Sequence, residues 1–414
     1  MNSASQQLLA AGHSVAQADI CKDLLCQLID VAQNNVSASL TSSSCSLNLE
    51  TYLKDFISFG GGAIIASDVQ SPTVNTDFIS QFNQNFPIFY QTYDRSANYH
   101  RSDYLSSIIN QFILKHTPES ARGKGLCVRI PCDVSLQPAS ILFSFLILNK
   151  PWKHFDIDTK NIPFNDPTSG SYQQRPGFYI KDVPCGVGIY PKGIFVARLK
   201  VGKIRQSGSS CPLSAQWSRK LENVWDDGED DDYCVRSDKD LFLNVFMYVD
   251  TQDMNEARLL KANGAKKNML AKPFSGPMNL WKVSDLSSAV FDEGHGVLQQ
   301  SLMHQLPLKS VKFSMPTVDI ECSEDIDVSN AEKYGLSPDY FSKVISNLVT
   351  SDAYLDTVKC ATRIRIDENG VGVFASASGF CTDGCSDTYN LTVDQPFCFA
   401  LTNGNSVLAR GVYI

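Results

Sequence analysis

Positive charge is in short supply across this 414-residue chain: 36 Lys and Arg stand against 44 Asp and Glu, a net of -8. That balance leaves no electrostatic footprint for nucleic acid or for an anionic membrane surface. Long apolar runs are missing too. The longest, Ile141 to Leu148, is interrupted by Ser144 and falls well short of the roughly 18 residues that span a bilayer. The amino terminus, MNSASQQLLAAGHSVAQADICKD, has neither a basic start nor a sustained apolar block. It reads as a poor secretory signal and predicts a cytoplasmic protein, with unconventional export the alternative. The 13 cysteines are odd in number and lack the regular spacing of a disulfide scaffold. They point the same way, to a reducing compartment with mostly free thiols. In that setting the sequons Asn35-Val36-Ser37 and Asn390-Leu391-Thr392 carry little meaning.

Catalytic signatures are equally scarce. The six histidines (His13, His100, His116, His154, His295, His304) sit far apart, with no His-x-x-x-His or Glu-His pairing for zinc. The segment FGGGAII around Gly60 lacks the Gly-Lys-Ser/Thr of a phosphate loop and the spacing of a dinucleotide fingerprint, and reads as helix packing. No Gly-x-Ser-x-Gly nucleophile elbow is present. A Cys-His enzyme has no local signature here, although its partners need only meet in space. The acidic run Asp226, Asp227, Glu229, Asp230, Asp231 and Asp232 offers calcium or a basic partner a target, but without the alternating ligand spacing of a calcium loop it reads as a solvated loop. Cys381 and Cys385 are two ligands and not a metal site. No catalytic residue, metal or cofactor is predicted.

What is present is a continuous run of mixed elements with no repeat and no low-complexity linker, predicting one domain over residues 1–414. Ile20, Leu24, Leu28 and Val31 recur at helical spacing. Leu47 to Ala66 is mostly apolar, and Asp103 to His116 is again helical in pattern. Ala139 to Leu148 predicts a buried strand, and Phe178 to Ile204 alternates short apolar runs with glycine and proline, as strands joined by turns do. Leu241 to Val249 and Val311 to Ile320 predict strands, Ser337 to Val349 a helix. Pro396 to Ala400 and Ser406 to Val412 predict a hairpin turning at Thr402-Asn403-Gly404-Asn405, where Asn-Gly favours positive backbone angles.

One stretch stands apart. Arg363 to Phe380, RIRIDENGVGVFASASGF, begins as a strand and runs into small residues with neither proline nor charge, followed by the polar, turn-rich CTDGCSDTYNLTVD. The roughly two dozen residues from Gly370 to Asp394 are long for a plain connection, where loops beyond about 12–15 residues are usually functional or disordered. Asp367-Glu368-Asn369-Gly370, then Asp394-Gln395-Pro396-Phe397-Cys398-Phe399, then Val407-Leu408-Ala409-Arg410-Gly411-Val412 resembles the carboxy-terminal region of a serpin. That family has a Glu-x-Gly hinge, a long exposed reactive loop, a His-Pro-Phe strand and a last strand close to Leu-Phe-x-Gly-Arg-Val. Upstream, Asn110-Gln111-Phe112 with Thr117 is similar to its Asn-x-Trp with a threonine five residues on. Leu148-Asn149-Lys150-Pro151-Trp152, with Phe155, Thr159 and Phe164, resembles its Phe-Lys-Gly-x-Trp strand. Val311 to Pro316 resembles a Leu-Pro-Lys-Phe strand start, and Asn35 to Ser39 an Asn-Val-Phe-x-Ser-Pro helix start. The matches run in family order along nearly the whole chain. Departures are clear: Leu40 replaces a proline, Cys360 a histidine, Val371 a threonine or serine, and Val373 and Phe374 are bulkier than the typical alanines. The stretch from about Ser207 to Pro307 aligns poorly.

The resemblance implies an α+β serpin fold: a single domain of about nine helices around three β-sheets, with a reactive loop at 370–394. It implies a monomeric protease inhibitor with no catalytic residue, no cofactor, no nucleic acid and no membrane partner. Its partner would be a serine or cysteine protease that cuts the loop, after which the hinge side inserts into the main sheet and drags the attached protease with it. The hinge and inserting residues would be Glu368, Asn369, Gly370, Val371, Gly372, Val373, Phe374, Ala375, Ser376 and Ala377. Successive strand side chains point to opposite faces, so Val371, Val373, Ala375, Ala377 and Gly379 make one wholly apolar face and Gly372, Phe374, Ser376, Ser378 and Phe380 a mixed one. Counting the family's loop length forward from Glu368 sets the scissile bond after Gly384; counting back from Pro396 sets it after Cys385, within the bait segment Asp383, Gly384, Cys385 and Ser386. A cysteine protease or a serine protease with a small apolar pocket fits these residues, and an aspartate-directed enzyme fits Asp383 or Asp387. A non-inhibitory serpin acting as a binding or storage module is the alternative, supported by the bulk of Val373 and Phe374.

Overall fold

Leu25, Leu28, Ile29 and Ala32 recur three and four residues apart, and all four are buried. That stripe gives Asp19–Ala32 a reason to be a helix and a face to bury. A computed structural model of the chain describes residues 3–33, 57–68, 88–94, 104–116, 140–148, 150–152, 156–203, 240–249, 278–292, 296–303, 306, 308–326, 328–329, 331–334, 336–345, 354–355, 358–372, 389–403 and 406–414. In chain order, α1 (Ser3–Ala10), β1 (Val15–Gln17), α2 (Asp19–Ala32), β2 (Ile57–Ala66) and β3 (Ile88–Tyr93) come first. Next are α3 (Tyr104–His116), β4 (Ser140–Leu148), β5 (Lys150–Pro151), β6 (Asp156–Asp166), β7 (Ser171–Tyr190), β8 (Ile194–Lys203) and β9 (Asp240–Tyr248). They are followed by α4 (Leu280–Phe291), α5 (Val297–Met303), β10 (Leu308–Pro316), β11 (Val318–Ile326) and α6 (Asp339–Ser342). Last come β12 (Val358–Asp367), β13 (Gly370–Gly372), β14 (Tyr389–Thr392), β15 (Phe397–Asn403) and β16 (Ser406–Tyr413).

These strands form three sheets, of order β3-β2-β4, β11-β12-β13-β5 and β1-β16-β15-β9-β8-β7-β10-β14, the last with β6 paired to β7. The first two are joined through the chain, because β5 follows β4 after one residue. α2 packs under β2, β4 and β16. α3 covers the other face of β4: Leu105, Ile108, Ile109, Phe112 and Ile113 are buried on it, and the Phe112 ring meets Phe143 and Phe145 edge-on at 6.1 and 5.8 Å.

Strands β8, β9, β15 and β16 are buried on both faces, so LFLNVFMYV reads as a continuous apolar run. One face, with Ala197, Val245 and Phe399, joins the main core; the other, with Val196, Phe246 and Ala400, lies in the core shared with α4 and α5. Polar groups inside this layer are bonded to one another. The Arg198 guanidinium, only 1% exposed, donates to Asn244 Oδ1 at 2.7 Å and to the Ser301 carbonyl at 2.7 Å, in the last turn of α5, where a cation suits the helix dipole.

Two expectations are corrected. FGGGAII is not helix packing: Ile57–Ala66 is the central strand of its sheet, between β3 and β4. A Cβ on Gly62 would lie 2.1 Å from the Phe89 carbonyl oxygen, and one on Gly61 2.5 Å from that of Phe143, so glycine is set by backbone approach. The helix expected over Ser337 to Val349 is four residues long. Lys343 turns to an extended backbone and Val344 forms an isolated bridge with Tyr354. The Asn35 to Ser39 helix start and the acidic run 226–232 lie outside the described residues. β1 leads into α2 and runs antiparallel to β16.

Candidate functional site: the hinge beyond β12

The ten-residue strand β12 is held on one side by β11 in an unbroken antiparallel register, Val318 opposite Ile366 through Ile326 opposite Val358. Their outward side chains form an ionic ladder. Arg363 grips Asp319 with two nitrogens at 3.0 Å each, while Glu321 and Arg365 lie 3.8 and 3.9 Å from the same pair of groups. Such half-exposed pairs contribute little singly, but together they fix the outward face of β11 and β12.

At the end of β12 the chain reverses in a two-residue turn, Glu368-Asn369, and Asp367 organises it. Its carboxylate is 2% exposed, accepts from Arg365 Nε at 2.7 Å with one oxygen and from the Asn369 N–H at 2.8 Å with the other. The second bond is a side-chain turn of the kind aspartate favours. Asn369 Nδ2 donates to Glu368 Oε1 at 3.0 Å. From below, the buried Trp152 indole N–H donates to the Asp367 carbonyl at 2.7 Å, its ring 5.9 Å from Phe178. Gly370 has a φ of 151°, a region that favours glycine.

Beyond the turn, β13 lies between two strands. It is antiparallel to β12, with Asp367 opposite Gly370, Ile366 opposite Val371 and Arg365 opposite Gly372. It is also antiparallel to β5, with Pro151 opposite Gly370 and Lys150 opposite Val371. β5 and β12 therefore run in the same direction, and Val371, fully buried, is wedged between them. Below β13, among the described residues, no ladder joins β4 to β12. The Val371 side chain lies in the main core. Of the residues expected to form the hinge, Glu368, Asn369, Gly370, Val371 and Gly372 come together here. Val373, Phe374, Ala375, Ser376 and Ala377, and the bait Asp383, Gly384, Cys385 and Ser386, lie outside the described residues. So do Cys381 and Asp387.

The chain is described again from β14, which joins the large sheet and not the hinge's own. β14 runs parallel to β10, Val311 opposite Tyr389 through Ser314 opposite Thr392. Past it, the Val393 N–H donates to the Ser314 carbonyl at 2.8 Å and the Asn165 N–H to the Asp394 carbonyl at 2.7 Å. Burial pushes the Asp394 carboxyl up to about 6, against the pull of its own backbone N–H. The segment from hinge to Asp394 is thus pinned at both ends in different sheets. Sequence reasoning gave Asp367, Trp152 and Asp394 no role of their own; the Asp367-Glu368-Asn369-Gly370, Lys150-Pro151-Trp152 and Asp394-Gln395-Pro396-Phe397 matches carried the only signal for them. Among the described residues no group of three or more His, Cys, Asp or Glu side chains could hold a metal ion. No described helix is long and apolar enough to cross a membrane.

No family model matches the sequence, and no curated protein matches it. Solved structures do. Human thyroxine-binding globulin complexed with thyroxine is 12% identical and superposes with a TM-score of 0.59, covering 99% of this chain and 96% of that one. Arabidopsis AtSerpin1 in its native stressed conformation is 13% identical with a TM-score of 0.56, covering 99% and 94%. Serpin48, a highly specific serpin of the insect Tenebrio molitor, is 10% identical with a TM-score of 0.53, covering 99% and 94%. At such identities the likeness speaks for architecture, and it covers nearly all of both chains: this protein has the serpin fold, carried by a strongly diverged sequence.

Proposed function

We propose that the chain is a protease inhibitor and not an enzyme, working by cleavage of the loop 370–394 and insertion of its hinge side between β12 and β4. The observation that carries this reading is β13: the first three residues beyond the turn already occupy the gap, with Val371 buried in it.

Continuing the same register supports the rest. Val373 would fall opposite Ile364, Ala375 opposite Thr362, Ala377 opposite Cys360 and Gly379 opposite Val358. Ile364 and Val358 are buried, so the apolar face of the loop would meet the apolar face of β12. On the other face Phe374 would fall opposite Arg363, whose guanidinium is held flat by Asp319. An aromatic ring beside a fixed guanidinium is a favourable neighbour, worth about 0.5–1 kcal/mol at an exposed site. The bulk of Phe374 therefore counts for less against insertion than its size alone implies. Insertion would leave neither a proline nor a charge in the new strand.

A protease attacking between Asp383 and Ser386 would separate the loop's two anchors. The β13 side would then be free to extend down the gap while β14 stays on β10. Incubation with papain-like, caspase-like and elastase-like enzymes should yield, with one of them, a complex that survives denaturation and a cut between Asp383 and Ser386. Plain proteolysis by the whole panel would overturn this reading.

A second reading is a binding or storage module. Val373 and Phe374 favour it, as does the fold shared with a thyroxine-binding globulin. It expects little change in melting temperature when the loop is cut, whereas insertion expects a sharp rise because the sheet gains a strand.

A further inference from the structure

We propose that the free edge of β6 pairs with the same edge of a second copy of this chain, antiparallel about a twofold axis at Thr159, to give a homodimer. The inference does not rest on the inhibitory reading above, and it departs from the monomer that the serpin resemblance implies.

β6 pairs with β7 in one unbroken register, Asp156 opposite Lys181 through Asp166 opposite Ser171, and among the described residues no strand lies on its other side. Two bonds fix which backbone groups face that open side. The Asn165 N–H turns away from β7 and donates to the Asp394 carbonyl at 2.7 Å. Pro176, opposite Asn161, turns its carbonyl away from β6 and accepts from the Thr317 N–H at 2.9 Å. Asn165 and Asn161 therefore sit in non-bonded pairs of the β6–β7 ladder, and by alternation so do Pro163, Thr159 and Ile157. The N–H and C=O groups of Ile157, Thr159 and Asn161 point out of the sheet edge, a row that templates another strand. Pro163 has no N–H and ends the row, and Asp394 closes the edge beyond it. Asp158, Thr159, Lys160 and Asn161 are all exposed.

Charge decides the occupant. Asp158 and Lys160 flank Thr159, and neither is ion-paired among the described residues. A lysine alone on an edge repels a second edge; an aspartate two residues before it makes the edge complementary to itself. In an antiparallel pair, outward-facing residues must meet outward-facing residues, so only alternate registers are open. With Thr159 opposite Thr159 of the copy, Ile157 meets Asn161 in both directions, which completes three hydrogen-bonded pairs. Asp158 then meets Lys160 twice, in the closer non-bonded pairs, and like charges lie only on the longer diagonals. One step either way sets Asp158 against Asp158 or Lys160 against Lys160. Two steps towards the amino terminus set Asp156 against Asp158; two the other way set Pro163 against Thr159 and lose a bond. In the favoured register Asp156 lies opposite Lys181 of its own protomer and the uncharged Ile162 of the copy, so it adds no like-charge pair. Only this register matches both charges and all the outward groups. It would merge the two β14-β10-β7-β6 sheets into one, with each β14 left at an outer margin.

Sedimentation velocity from about 1 μM to about 0.5 mM protein, the span in which a weak interface shows, should find wild type passing from monomer to dimer. Asp158→Lys alone and Lys160→Asp alone each set like charges opposite at both pairs, and should weaken the dimer at least about tenfold at low salt. Mixed together, the two variants should recover the wild-type affinity, because one strand is then basic at both positions and the other acidic. Asp158→Lys/Lys160→Asp in one chain should restore the homodimer. These charge effects should shrink at high salt. Thr159→Pro removes an outward N–H at the axis and leaves the β6–β7 bonds in place, so it should abolish the dimer while melting as dilute wild type does. If Thr159→Pro does not fold, the exposed charge variants decide alone. A wild-type chain that stays monomeric over the whole range overturns the proposal. So does a dimer that survives Thr159→Pro, or a pair of charge variants that fails to associate on mixing.

Discussion

Val371→Glu is the sharpest perturbation the hinge offers. The valine is fully buried and is opposed by Ile366 on one side and Lys150 on the other. Removing its side chain from the slot forfeits about 2 kcal/mol of apolar burial. A carboxylate in the same place is desolvated, which raises a buried glutamate by up to 3–5 pKa units, or about 4–7 kcal/mol at about 1.4 kcal/mol per unit. Against this, β13 is held at three positions on β12 and two on β5, with net ladder bonds worth about 1 kcal/mol each. The penalty exceeds what holds the strand, so the Val371→Glu substitution should expel β13 and bar the rest of the loop from entering. The assay is a thermal melt before and after limited proteolysis between Asp383 and Ser386. Wild type should gain stability sharply on cleavage, Val371→Ala should retain most of the gain, and Val371→Glu should lose it at pH 7.5. Acid should restore part of it. The inserted state raises the pKa of the introduced carboxyl, so protonation, and with it insertion, is favoured as pH falls through that raised value. An identical gain for wild type and Val371→Glu at pH 7.5, with the same protease complex, would refute the assignment of β13 as the start of the inserting strand.

Two further outcomes are expected. Gly62→Ala places a methyl 2.1 Å from a backbone oxygen that cannot rotate away, so it should cost at least about 3 kcal/mol in urea unfolding; a cost under about 1 kcal/mol would mean that β2 is not clamped between β3 and β4. Asp394, raised to about 6 by burial, binds a proton more readily folded than unfolded, so its penalty is complete above about pH 7 and fades as pH falls through 6 towards 4. Asp394→Asn should therefore be more stable than wild type at pH 7.5, by about 1–2 kcal/mol after allowance for partial exposure, and equal to it near pH 3.5; equal stability at both values would show that the carboxyl is well solvated.

Legibility in the sequence followed how local each cause was. The turn after β12 could be read because its signals are consecutive: Ile364 and Ile366 alternate with Arg363 and Arg365, Asp367 carries its own turn, and Val371 comes opposite Ile366 across it. The hairpin of β15 and β16 was equally plain from Asn403-Gly404. FGGGAII misled because the partners that exclude a side chain, the Phe89 and Phe143 carbonyls, come from strands 26 or more residues away. The helix from Ser337 failed for a related reason: periodicity continued, but Val344 found a strand-like partner in Tyr354. β6 was missed because Asp158, Thr159, Lys160, Asn161 and Pro163 face solvent on a sheet edge, where apolar alternation has nothing to record. At the site itself, Trp152 bonds to Asp367 across 215 residues, a distance no pattern spans.

That same separation has a bearing on the order in which the molecule assembles. β13 meets β12 through a two-residue turn, and such hairpins close in about 1–10 μs. Its other neighbour, β5, emerges during synthesis more than 200 residues earlier and has no partner on that side until the hinge is made. The final strand of the slot is thus the last to arrive and the fastest to pair. On the proposed insertion, zipping of the loop during folding is opposed by its far anchor, the capture of β14 by β10 and of the Asp394 carbonyl by the Asn165 N–H. On that reading two strand captures compete, so variants that weaken β14 should shift the products of refolding even where they leave the hinge untouched.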